Sequence, residues 1–196
     1  MTTIPLWLKI AYTLFLCVLV PAYWRMADAG PRNFLWFSDI ALLATGAALW
    51  LENSLIVSTM AVGVLLPEIF WNVGFFVRLT TGRSITNLSE YMFESRRPLF
   101  SRLLSLFHIF LPPLMVWLIY VLGYDERAFV AMTVVSLIVL PVTYAFTRPE
   151  HNINWVHGWE GMRPWGLSPR AYLGLLMIAL PIVVFLPTHL LLRAIF

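Results

Sequence analysis

Charge is scarce in this chain of 196 residues. Only 12% are Asp, Glu, Lys or Arg, and a single lysine, Lys9, stands beside twelve arginines. A soluble domain carries about 25% charged residues, so too little polar surface is present here to cover a water-exposed core. Cysteine is nearly absent as well: Cys17 alone excludes an internal disulfide. No Gly-x-Ser-x-Gly, His-Glu-x-x-His, P-loop or Rossmann pattern occurs, which removes the common motif-bearing hydrolases and nucleotide enzymes. The net charge of +3 is gathered in loops rather than in a dense basic run, so it is no address for nucleic acid.

Apolar residues fill the space that charge leaves. They make up 60% of the chain, with mean hydropathy +0.81. The runs 4–23, 34–51, 54–77, 100–122, 128–147 and 171–193 each suffice to cross about 30 Å of hydrocarbon. The run from Ile4 to Tyr23 lacks a small-x-small cleavage site and reads as a retained first helix. The expected fold is an all-α integral membrane protein: one compact bundle of about six transmembrane helices, 1–196, with proline-kinked spans. Glu52-Asn53-Ser54 and the turn from Gly123 to Arg127 are short enough only for antiparallel hairpins.

Ten of the thirteen basic residues fall in the first, third and fifth loops. Basic loops stay in the cytoplasm, so both termini are expected outside a plasma (inner) membrane. Two of these loops are long. The stretch from Thr80 to Arg102 mixes Leu88, Tyr91, Met92 and Phe93 with charges, as an interfacial segment does. The stretch from His151 to Pro169 is rich in Trp, Gly and Pro, including Gly158 and Gly161, and reads as an aromatic-anchored loop.

Four spans contain proline well away from their first and last turns: Pro67, Pro112-Pro113, Pro141, and Pro181 with Pro187. Each proline removes a backbone donor, so Pro67 frees the carbonyl of Gly63 and Pro112 that of His108. In lipid such carbonyls need a partner from a neighbouring helix, water or a ligand.

Three ionisable residues lie where a bilayer should exclude them. Counting from the arginine-rich ends, Asp39, Glu68 and His108 sit at depths of roughly 8, 15 and 12 Å. A buried carboxylate at such depth costs about 2.5 kcal/mol or more unless paired or wet. Their overlapping depths predict one shared cavity with Asp39, Glu68 and His108 as its reactive centre. Asn72, Tyr144 and Asn154 are expected to orient groups around it, and Arg96 and Arg97 to hold an anionic headgroup. Asp39, Glu68, His108, His151 and His157 also form a candidate ligand set for a divalent metal such as zinc. A metal-free acid–base site is the equal alternative.

The chain therefore reads as a membrane-embedded enzyme acting on a lipid or other amphiphile from the cytoplasmic leaflet, with membrane lipids as its partners. The alternatives are a small transporter or solute-binding subunit, and a structural subunit of a larger membrane complex.

Overall fold

A computed structural model describes residues 4–25, 30–159 and 162–196; Gly161 of the aromatic loop lies outside them. The described residues form helices and loops, with one isolated bridge between Trp159 and Met162. In chain order the helices are α1 (Leu6–Arg25), α2 (Phe37–Leu51), α3 (Ser54–Thr81), α4 (Leu99–Leu104), α5 (Phe107–Leu122), α6 (Ala128–Phe146), α7 (Pro169–Leu180) and α8 (Leu186–Ile195). A π-helical segment, Pro181–Phe185, joins the last two into one rod.

Five segments are long and apolar enough to cross a membrane: α1, α3, α4 with α5, α6, and the α7–α8 rod. The sixth expected span is shorter than its apolar run suggests. Residues Gly30–Leu35 form a 3-10 turn and Trp36 is extended, so α2 keeps only 15 residues, about 22 Å of helix.

Helix α3 is the axis of the bundle, packing against α2, α5, α6 and α8. Close approach explains this. A Cβ on Gly63 would lie 2.5 Å from the Met132 side chain, so the glycine lets α6 meet α3 directly. Leu42, Leu49, Val57, Ala61, Leu111, Met115, Leu118 and Ile119 are fully enclosed between these helices. The outward faces are the reverse of a soluble protein's. Leu6, Trp7, Ile10, Leu14 and Val18 are exposed along α1, and Val130, Val134, Leu137 and Ile138 along α6. Apolar faces of this extent need a covering phase.

Caps mark the turns at both ends. The Asn53 side chain accepts from Ile56 N at 3.1 Å to start α3, and Gly82, left-handed at φ 70°, ends it. The 3-10 segment Glu90–Phe93 lies in the chain that follows, which folds back on α3. Gly74 permits the contact, because a Cβ there would collide with the Thr86 hydroxyl.

The expected single span 100–122 is two pieces. Between α4 and α5 the chain tightens, with Leu106 N bonding Leu103 O, His108 N bonding Ser105 O and Ile109 N bonding Leu106 O.

Candidate functional site

The bend between α4 and α5 places His108 in the first turn of α5, beside the middle of α3. There its Nδ1 lies 2.7 Å from Glu68 Oε2. Both side chains are enclosed, at 12% and 4% exposure, so this contact is largely shielded from solvent. When Nδ1–H donates to the carboxylate, Nε2 is left with its lone pair facing away from Glu68. Among the described residues Nε2 has no hydrogen-bond partner, which leaves it available to a bound molecule.

Aromatic rings hold the imidazole plane. Trp71 stacks on His108 at 4.5 Å and 22°, and Phe107 lies 4.1 Å from it at 28°. Trp71 in turn stacks on Phe75 at 5.2 Å, and Phe75 packs on Phe93 from the folded-back segment. These ring contacts restrict the tilt of the imidazole plane.

The proline rule finds its partner here. Pro112 leaves the His108 carbonyl without its helical donor, and Asn72 Nδ2 supplies one at 2.7 Å. The same amide also donates to Glu68 O at 2.8 Å. One carboxamide thus links the backbones of the two residues that carry the carboxylate–imidazole pair.

Asp39 occupies a third wall. It stands in the first turn of α2, not five residues deep, because the helix begins only at Phe37. It is 4% exposed, and its Oδ1 is buried without a hydrogen-bond partner. No cation pairs with it among the described residues.

Asp39, Glu68 and His108 line one cavity of about 870 Å³. This lies within the usual size of small-molecule sites. Its inner wall is apolar, from Val64, Phe107, Leu180, Val184 and Phe185. Its rim carries Arg25, Arg96, Arg97, His151 and Glu150. Glu94 contacts both Arg96 (2.9 Å) and Arg97 (3.3 Å), and the Arg97 guanidinium lies over the Tyr91 ring. Burial, followed by the nearby Tyr23, pushes the Tyr91 phenol above its ordinary range. Tyr23 Oη and Ser105 Oγ are 3.1 Å apart on the same wall. Trp36, Trp155 and Trp159 complete the rim, packed ring against ring.

Several expected roles change. Asn72 does not line this cavity, and its amide nitrogen donates to two backbone carbonyls. Asn154 does line the cavity, but its side chain accepts from Phe37 N at 3.1 Å and donates to Leu35 O at 2.7 Å. It thereby staples the aromatic loop to the start of α2. Tyr144 packs on His157 at 5.0 Å and does not reach the cavity. His157 Nε2 meets the Thr147 carbonyl at 3.2 Å, so it stands apart from the proposed metal ligands. Among the described residues no three His, Cys, Asp or Glu side chains gather as an ion site. The zinc ligand set Asp39, Glu68, His108, His151 and His157 is therefore not assembled. Trp71, Tyr91 and the three rim tryptophans were not singled out by polarity or spacing; their aromatic character was the only signal.

The comparisons give no relative to lean on. The chain matches no family model, no curated protein and no solved structure.

Proposed function

We propose that the chain is a membrane-embedded enzyme acting on a lipid or other amphiphile, with Glu68 and His108 as its acid–base couple. One observation carries this reading: a 2.7 Å carboxylate–imidazole pair on the wall of a cavity with arginines at its rim and an apolar inner wall. Glu68 orients the imidazole and stabilises its protonated form, and His108 Nε2 takes a proton from the reacting group or returns it. Arg25, Arg96 and Arg97 attract an anionic head to the rim. The apolar inner wall receives the chain attached to it.

The excess of arginine at this end supports a cavity on the cytoplasmic side, with both termini outside. A cysteine at Ser95, in a chain with Cys17 replaced, is expected to resist an impermeant thiol reagent applied from outside. A cysteine at Asn53 is expected to react. The reverse pattern would put the cavity on the other face.

The activity test uses the full chain reconstituted in vesicles of polar lipid extract, with lipid species followed by mass spectrometry. Conversion of at least one species is expected with the parent chain. The variants H108A and E68Q should slow it by about 10² or more. Conversion that survives both changes would remove the couple from the chemistry.

A further inference from the structure

Resting on the reading just given, we infer that Asn72 is a positioning residue for the Glu68–His108 couple. Its carboxamide stands outside the cavity and holds the imidazole at its distance from the carboxylate. The backbone around His108 explains why such a hold is needed. His108 stands in the first turn of α5, and its N–H bonds Ser105 O, in the bend before that helix, at 3.3 Å. Its carbonyl loses the α-helical donor to Pro112. The hydrogen-bond ladder of α5 therefore holds this residue at neither its N–H nor its carbonyl.

The hold comes from α3 instead. Asn72 Nδ2 donates to His108 O at 2.7 Å and to Glu68 O at 2.8 Å. Both acceptors are carbonyls, so only the amide nitrogen can face them, and both its hydrogens are used. One side chain thereby fixes the two backbone positions from which the reacting side chains project. Those side chains meet at 2.7 Å, Nδ1 to Oε2. Ring contacts with Trp71 and Phe107 restrict the imidazole's tilt, whereas the Asn72 bonds set the distance between the two backbones. Asn72 borders a separate open groove between α3 and α5, with Ile69, Val73, Ile109 and Pro112. The other residues of that groove are apolar, so few groups compete for these bonds. A substrate in the cavity does not touch Asn72, and its effect reaches the reaction only through the couple.

The test compares the parent chain with N72L, P112A and N72L/P112A, in the reconstituted vesicles and in detergent. P112A returns a backbone donor to the His108 carbonyl but makes no link to α3. N72L should lower kcat for lipid conversion about tenfold and leave KM within about twofold, because misplacing a reacting group acts on the rate. N72L/P112A should regain most of the lost melting temperature and remain slow. P112A alone should stay within about twofold of the parent rate. A second readout needs no turnover. With nitrogen-15-labelled histidine, the Nδ1 proton of His108 is identified by its loss in H108A and should lie far downfield, as in short N–H to carboxylate bonds. N72L and N72L/P112A should both move it upfield.

A parent-like rate in N72L/P112A would overturn the assignment, because a donor for the carbonyl would then be all that Asn72 supplies. So would an unmoved proton signal in N72L, a rise in KM with kcat unchanged, or a P112A chain as slow as N72L. If N72L does not fold, N72L/P112A carries both readouts, and a double variant that also fails to fold would assign Asn72 to the fold instead. Each of these outcomes leaves the couple standing. A proton signal that moves in N72L, in a chain whose parent converts no lipid, would instead sink the couple's chemistry and spare the role of Asn72.

Discussion

The bundle carries a histidine toward each end, and the two are treated in opposite ways. At the end holding the N-terminus, His189 Nδ1 meets Tyr124 Oη at 2.6 Å, and its ring packs on Phe129. Lys9 pairs with Glu52 at 2.8 Å, Arg193 with Glu126 at 3.0 Å, and Asp125 N donates to Ser58 Oγ at 3.1 Å. Each of these polar groups has a protein partner, and none of them lines the large cavity. At the arginine-rich end, His108 keeps one nitrogen unbonded, Asp39 keeps a buried oxygen unpartnered, and a cavity separates the walls. Satisfied polar groups tie helices together; unsatisfied ones beside a cavity are a cost that a ligand relieves.

The largest expected effect sets one histidine against the other. H108A should lower lipid conversion by about 10² or more, whereas H189A should leave the rate within about twofold and lower the melting temperature instead. Both are read from the same reconstituted vesicles and a detergent melt. Equal losses of activity would erase the distinction between the ends.

The next effect concerns the carboxamide that joins the two reactive backbones. N72L leaves the His108 carbonyl without a donor and should cost about 1 kcal/mol, read from the melting curve. P112A in that background returns a backbone donor and should recover most of the loss. The double-mutant cycle is expected to show coupling, since both groups serve one carbonyl. Additive losses would mean that Asn72 matters for another reason.

Five of the six expected long apolar helices, the arginine asymmetry and the polar layer were legible in the sequence, because hydropathy and depth depend only on local order. The Pro112 rule even marked the His108 carbonyl as needing a partner. That Asn72 supplies it was not legible, since pairing between α3 and α5 depends on how two helices rotate about their axes. The starting point of α2 was hidden by Phe34, Leu35 and Trp36, which are as apolar as the helix but lie in and after a 3-10 turn. His157 misled because a loop can turn a side chain back onto the helix it has just left, here toward Thr147.

The smallest expected effect lies at the tied end. The hydrogen bond from Lys9 holds the Glu52 carboxyl below its usual range, with the Ile4 amide adding to this. The folded value is therefore below the unfolded one. The link contributes above about pH 4.3, the ordinary value for Glu, and is lost as pH falls through the folded value. E52Q should melt slightly lower than the parent at neutral pH, and the gap should close on acidification, as a melting series across pH would record. A gap that widens in acid would reverse the assigned sign.

The π-helical turn at Pro181–Phe185 gives the last rod a property that no other helix here has. A π turn holds one residue more than an α turn in nearly the same length. Removing a residue from Pro181–Phe185 would leave an ordinary helical turn of nearly the same rotation and rise, so α7 and α8 would keep their facing. Leu180, Thr188 and Leu192 would all keep their seats. The chain thus carries a joint that absorbs a one-residue change in length without re-aiming the helix on either side. Such a deletion would reshape the apolar wall only where Val184 and Phe185 meet the cavity.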